Sequence, residues 1–124
     1  MREILFRGKR IDNGEWVEGY FVNLWLMHYQ KHQPIITDNN AVSYDVDPST
    51  VGQYTGLTDK NGKKIFEGDI MAFTAYGFDY VGTVEFADGS FSVMCEHTSP
   101  FLDQAVSKHG AYIIGNMHDN PELL

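Results

Sequence analysis

Hydrophobic and polar residues alternate most regularly between Tyr80 and Cys95. Tyr80, Gly82, Val84 and Phe86 fall on one side of an extended segment, and Phe91, Val93 and Cys95 share a side of the next. Thr83, Glu85, Ser90 and Ser92 point the opposite way. A period of two with one dry and one wet face predicts antiparallel strands over Tyr80–Phe86 and Ser90–Cys95. Ala87-Asp88-Gly89 joins them, because Asp-Gly accepts the positive φ of a tight hairpin. Asp12-Asn13-Gly14 likewise joins Ile4–Ile11 to Glu15–Val22, and Lys60-Asn61-Gly62 marks a third turn. Asp69–Tyr76 reads as a further strand that ends at the Gly77 turn.

The first hairpin is less regular. Trp16, Tyr20 and Val22 share a face, while Val17 and Phe21 occupy the other. Apolar residues on both faces imply burial on two sides or an interface with another chain. Asn23–Gln33 has no clear period despite Leu24-Trp25-Leu26-Met27, so no element is assigned there. Ile35-Ile36 and Ala41–Val46 read as two short strands around the polar turn Asp38-Asn39-Asn40. Asp47-Pro48 ends the pairing, since proline lacks the donor a central strand needs. One helix is predicted. Ser99 serves as cap, Pro100 opens it, and Phe101, Leu102, Ala105 and Val106 form its apolar stripe. Lys108 and His109 suit its negative end, and Gly110 its stop. Ala111–Gly115 is a last short strand, followed by the Asn120-Pro121 turn.

Length and charge narrow the reading. A chain of 124 residues suits one domain over 1–124. The break near Asp47–Gly56 marks two lobes, an N-terminal β region at 1–49 and a small barrel at 50–124. Nine Lys and Arg against seventeen Asp and Glu leave a net charge of −8, which disfavours nucleic acid. Six of the nine cations nevertheless cluster beside hairpins, as Arg7, Lys9, Arg10 and as Lys60, Lys63, Lys64. With Trp16, Tyr20 or Tyr54 nearby, these are the candidate nucleic-acid contacts. One cysteine forms no internal disulfide. No apolar run approaches the ~18 residues that span a bilayer. Arg2 and the short cluster Ile4-Leu5-Phe6 fall short of a secretory signal. The expectation is a cytoplasmic protein of a bacterial host, with no membrane partner.

Catalytic and metal motifs fail on spacing. An EF-hand loop opening at Asp59 needs an acceptor at its fifth position and glycine at its sixth, where Lys63 and Lys64 stand. His28 and His32 lack the glutamate that would follow the first histidine of a zincin. Cys95 and His97 have no second ligand pair. Gly62-Lys63-Lys64 is not a phosphate loop. Cys95, on the inward side of its strand, reads as core. No catalytic residue, metal or cofactor is expected. An enzyme would have to use a dispersed carboxylate site at Glu67, Asp69 and Asp119.

Three stretches stand out: RGKRIDNGEWVEGYF at Arg7–Phe21, TVGQYTGLTDKNGKKIFEGDI at Thr50–Ile70, and IIGNMHDNPELL at Ile113–Leu124. By these, in this order, the chain resembles the YopX family of phage- and prophage-encoded proteins. The resemblance implies a mainly β fold with a small C-terminal barrel, and it brings no catalytic or binding residues. The residue pattern agrees: Gly68-Asp69 opening a strand, then a hairpin, a helical turn and a short strand resembles SH3-like barrels. Fold alone does not assign activity. Trp16, Tyr20, Phe21, Trp25 and Leu26 supply more apolar area than the first half readily hides. They are therefore the expected homo-oligomer contact. The leading expectation is a noncatalytic interaction protein that self-associates or binds a host or phage protein. Nucleic-acid binding is the alternative.

Overall fold

The computed structural model describes residues 4–124. Arg2 lies outside them. The chain divides into two compact units, Met1–Tyr54 and Thr55–Leu124. All sheet pairing is antiparallel, and one α-helix is present among the described residues.

The first unit contains β1 (Phe6–Lys9), β2 (Trp16–Leu26), β3 (Lys31–Thr37) and β4 (Ser43–Asp45). A 3-10 turn (Pro48–Thr50) leads to β5 (Gly52–Thr58), whose first residues pair with β1. The spatial order is β4-β3-β2-β1-β5. Asp12-Asn13-Gly14 makes the β1–β2 turn as expected, with Gly14 at φ 72. Beneath the sheet, Ile36 and Val46 are completely buried. Gly8 gives them room, since a Cβ there would lie 3.1 Å from Ile36 and 3.2 Å from Val46. The Asp47 side chain accepts the Ser49 N–H and starts the 3-10 turn.

β2 changes partner along its length. Trp16–Gly19 pairs with β1, and Tyr20–Leu26 pairs with β3. At that handover Gly19 presses on β3: a Cβ would sit 2.0 Å from the Thr37 carbonyl oxygen. Beyond β1 and β4, β2 and β3 continue alone as a two-stranded ribbon closed by the turn Met27–Gln30. The unassigned segment Asn23–Gln33 is this ribbon. Its turn lacks glycine, and Gln30 supplies the positive φ, at 50°.

The second unit holds β6 (Lys64–Phe66), β7 (Asp69–Ala75), β8 (Phe78–Ala87), β9 (Ser90–Met94), α1 (Leu102–His109) and β10 (Tyr112–Asn116). β6 neighbours the end of β5. The other strands form a sheet of order β10-β7-β8-β9. This corrects the expected SH3-like barrel. The strands follow the anticipated order, but β10 and β9 stand at opposite edges and the sheet is open rather than closed. α1 packs against β7 and β9, and Leu102 and Ala105 join Met71, Phe73, Val84 and Val93 in the core.

Two local expectations also change. Ser99 does not cap α1: the N-cap is Phe101, without a side-chain hydrogen bond, and Pro100 accepts the Val93 N–H instead. The C-terminal stop holds, with Gly110 at φ 61 donating to Ala105 and Val106. Thr83 and Ser92, expected to face water, are buried. Thr83 lies opposite the fully buried Ile70 on β7, and Ser92 bridges to Phe101, so this part of the sheet is dry on both faces.

Candidate interaction surfaces

The five residues expected to form an oligomer contact divide between the two faces of β2. A strand's side chains alternate, so Trp16, Tyr20 and Leu26 share one face while Phe21 and Trp25 take the other. Phe21 is half-buried, its ring 5.5 Å from that of Phe6. Trp25 lies across from His32, the two rings 4.8 Å apart. Tyr20 is 69% exposed. Between it and the ribbon tip stand two residues outside the expected contact, Val22 at 52% and Leu24 at 43% exposure. Half-buried Ile35 lies directly opposite Val22 on β3. Met27 and Tyr29 extend the apolar surface into the tip. The available signal was Leu24-Trp25-Leu26, a run in which neither face of a surface strand is polar.

The cations of the first cluster rest on aromatic rings. Arg7 lies 4.8 Å and Lys9 5.5 Å from the centre of the Trp16 ring, and Arg10 lies 4.6 Å from that of Tyr44. Arg10 also donates twice to Asp12, Nε to Oδ1 at 2.9 Å and Nη2 to Oδ2 at 2.6 Å. That side-chain hydrogen bonding lowers the Asp12 pKa and raises that of Arg10. In the second unit Lys60 sits 4.4 Å over the Tyr112 ring. Lys63 and Lys64 are exposed beside the same turn. The clusters thus exist as surface features, but much of their charge already faces the chain's own π systems and carboxylates.

Two buried carboxylates, Asp59 and Asp69, are structural clamps. Asp59 is buried; Oδ1 accepts the N–H groups of Asn61 and Lys63, both at 2.9 Å, and Oδ2 accepts that of Ile113 at 3.0 Å. Burial by itself pushes the carboxyl upward. The N–H groups of Ile113, Lys63 and Asn61 outweigh it and hold the pKa below the ordinary value. Asp69, also buried, accepts the Phe66 N–H at 2.8 Å. Residues 67–69 and 116–119 do come together: Asp69 pairs with Asn116 across β7 and β10, and Met117 donates to the Gly68 carbonyl. The Asn116 side chain donates to Asp119, which is exposed. Glu67 is half-buried.

His28 lies in the ribbon turn and His32 on β3, so no helix face joins them. Cys95 sits just past β9 against the core, and burial raises its thiol pKa. His97 is exposed near Glu96. Among the described residues no three His, Cys, Asp or Glu side chains gather at metal-binding distance. No helix among them is long and apolar enough to cross a membrane.

Three comparisons bear on identity. The profile of the family described as YopX protein matches residues 5–124. No curated protein matches the chain. Among solved structures, the crystal structure of protein EF1440 from Enterococcus faecalis is similar, with 26% identity and a TM-score of 0.64. The match covers 100% of this chain and 99% of that one.

Proposed function

The chain belongs to the YopX family, and from that premise we propose that it is a noncatalytic phage or prophage accessory protein that works by self-association in the bacterial cytoplasm. The carrying observation is the exposed row Tyr20, Val22, Leu24 along β2, which runs from where β4 still flanks β3 out onto the two-stranded ribbon. Scattered exposed apolar residues are ordinary on a monomer. A contiguous row is not, and such patches mark interfaces. An isolated two-stranded ribbon is also marginal in water, and covering one face against a second copy would stabilise it.

Of the five residues first expected at the contact, Tyr20 and Leu26 lie on the row. Trp16 lies on the same face at the body end of β2, separated from the row by the exposed Glu18. Phe21 and Trp25 brace the opposite face. Light scattering over a range of concentrations tests the reading. An oligomer is expected, and Val22→Lys with Leu24→Lys should return a folded monomer. A strict monomer at high concentration would sink it.

A second reading has one observation in its favour. Arg7 and Lys9 lie over Trp16 on the same open sheet face, a pairing of cation and aromatic ring that single-stranded nucleic acid can exploit. The net charge of −8 opposes it. Fluorescence anisotropy with a labelled oligothymidylate at low salt decides the matter, since no binding there removes this reading.

A further inference from the structure

The second unit carries a groove of about 340 Å3 that the ribbon does not involve. The end of β7, the Tyr76-Gly77 turn, residues 98–101 and the last turns of α1 enclose it. Its floor is Phe73, stacked with Tyr80 at 5.2 Å and with His109 at 5.9 Å. Its rims are Tyr76 and Phe101, exposed by 86% and 58%. A small-molecule pocket usually encloses most of its ligand. Rims this exposed suit a segment lying along the groove.

Charge narrows the occupant. The protein has nearly two acids for each base, 17 against 9. Yet no carboxylate lines this groove, while Lys108 and His109 do. Lys108 is exposed and makes no ion pair among the described residues. The lining thus has the sign opposite to the chain as a whole. It also pairs an ammonium group with apolar rings.

Tyr76 supplies an independent sign. Its φ is +54, in the left-handed region where Asn, Asp and Gly are favoured. The β8–β9 turn uses Asp88 at the same kind of position, with φ 53. Tyrosine is the more strained choice, and its ring is left in water but for an edge contact with His109. A conformational cost at an exposed aromatic points to a use outside the fold.

We propose that this groove binds a short acidic peptide segment of a protein partner. Apolar side chains of the segment pack on Phe73, Tyr80 and Phe101, and a carboxylate meets Lys108. This site is independent of the ribbon and stands if the ribbon reading fails.

The test is to pan a displayed library of random eight-residue peptides on the full chain. A recovered peptide is then synthesised with a fluorescent label. Enriched sequences should carry Asp or Glu beside Leu, Phe, Tyr or Pro. Lys108→Glu should weaken binding about tenfold, as reversing a charge in a contact does. Tyr76→Asn should weaken it about fivefold, as loss of an aromatic anchor does. Because asparagine is the favoured residue at this φ, that variant keeps the fold and its loss of binding is not misfolding. Val22→Lys should leave peptide binding unchanged. The proposal is overturned by no enrichment, by enrichment without acidic residues, or by full affinity in Lys108→Glu. Lys108-dependent binding of an oligothymidylate in place of peptides overturns it equally.

Discussion

Replacing Asp59 by alanine removes the acceptor of three backbone N–H groups at once. Asn61 and Lys63 lie in an exposed turn, so water takes over much of their loss. Ile113 is different, because its N–H is part-buried in β10 and its partner is 54 residues away in sequence. A charged hydrogen bond contributes roughly 1.5–3 kcal/mol, and a buried donor left unmet costs about 1–3 kcal/mol. With water satisfying the turn, the total is about 3 kcal/mol. For a chain of this size that corresponds to a Tm lower by about 10 °C.

Asp59→Asn, which keeps an acceptor oxygen but no charge, should lose about half as much. Because the folded pKa is depressed, the stabilisation is fully present above the ordinary carboxylate pKa. It is lost as pH falls through the lower folded value. Melts by near-ultraviolet circular dichroism should therefore show a wild-type advantage that is constant near neutrality and shrinks in acid. Hydrogen exchange at the Ile113 amide should accelerate in both variants. A difference below about 0.5 kcal/mol at pH 7, or one that does not diminish in acid, would refute the clamp.

Four further outcomes follow from packing and geometry. Gly19→Ala places a methyl group against the Thr37 carbonyl and must shift β3, so thermal melts should show a loss of about 2 kcal/mol or more. Leu102→Ala empties a fully packed position between α1 and the sheet and should cost about 3 kcal/mol by urea titration. Asp12→Asn breaks an exposed pair and should leave Tm unchanged within error. Tyr76→Asn should leave Tm unchanged or raise it, read in the same melts, because asparagine adopts the positive φ at lower cost than tyrosine.

What could be read from the sequence was mostly local. Asn61-Gly62 and Asp88-Gly89 announce turns because few residues tolerate those dihedrals, and both turns are where they were expected. The turn Met27–Gln30 announced nothing, since a glutamine took the left-handed position and the strands around it were apolar on both faces. Barrel closure is a global property of strand tilt and stagger. The order of strands after Gly68-Asp69 does not specify it. The burial of Thr83 and Ser92 was equally hidden, because alternation reports which residues are apolar and not which faces are covered. At the interaction surfaces, cations and aromatic residues were visible in the sequence. That they lie on one another was not, because ring contacts such as Lys60 on Tyr112 join residues distant along the chain.

Pro34 has a consequence for how copies of the ribbon can add to one another. Its carbonyl accepts the Val46 N–H, so this residue directs its backbone away from β2, toward the outer edge of β3. There the proline ring offers no donor, and a new strand cannot continue a ladder across it. The outer edge of β2 beyond Gly19 carries no such block. If copies of the ribbon also paired through their edges, one usable edge would allow a two-fold pair that then stops, whereas two usable edges would propagate into a fibre. The proline would therefore limit the number of copies such a sheet could recruit.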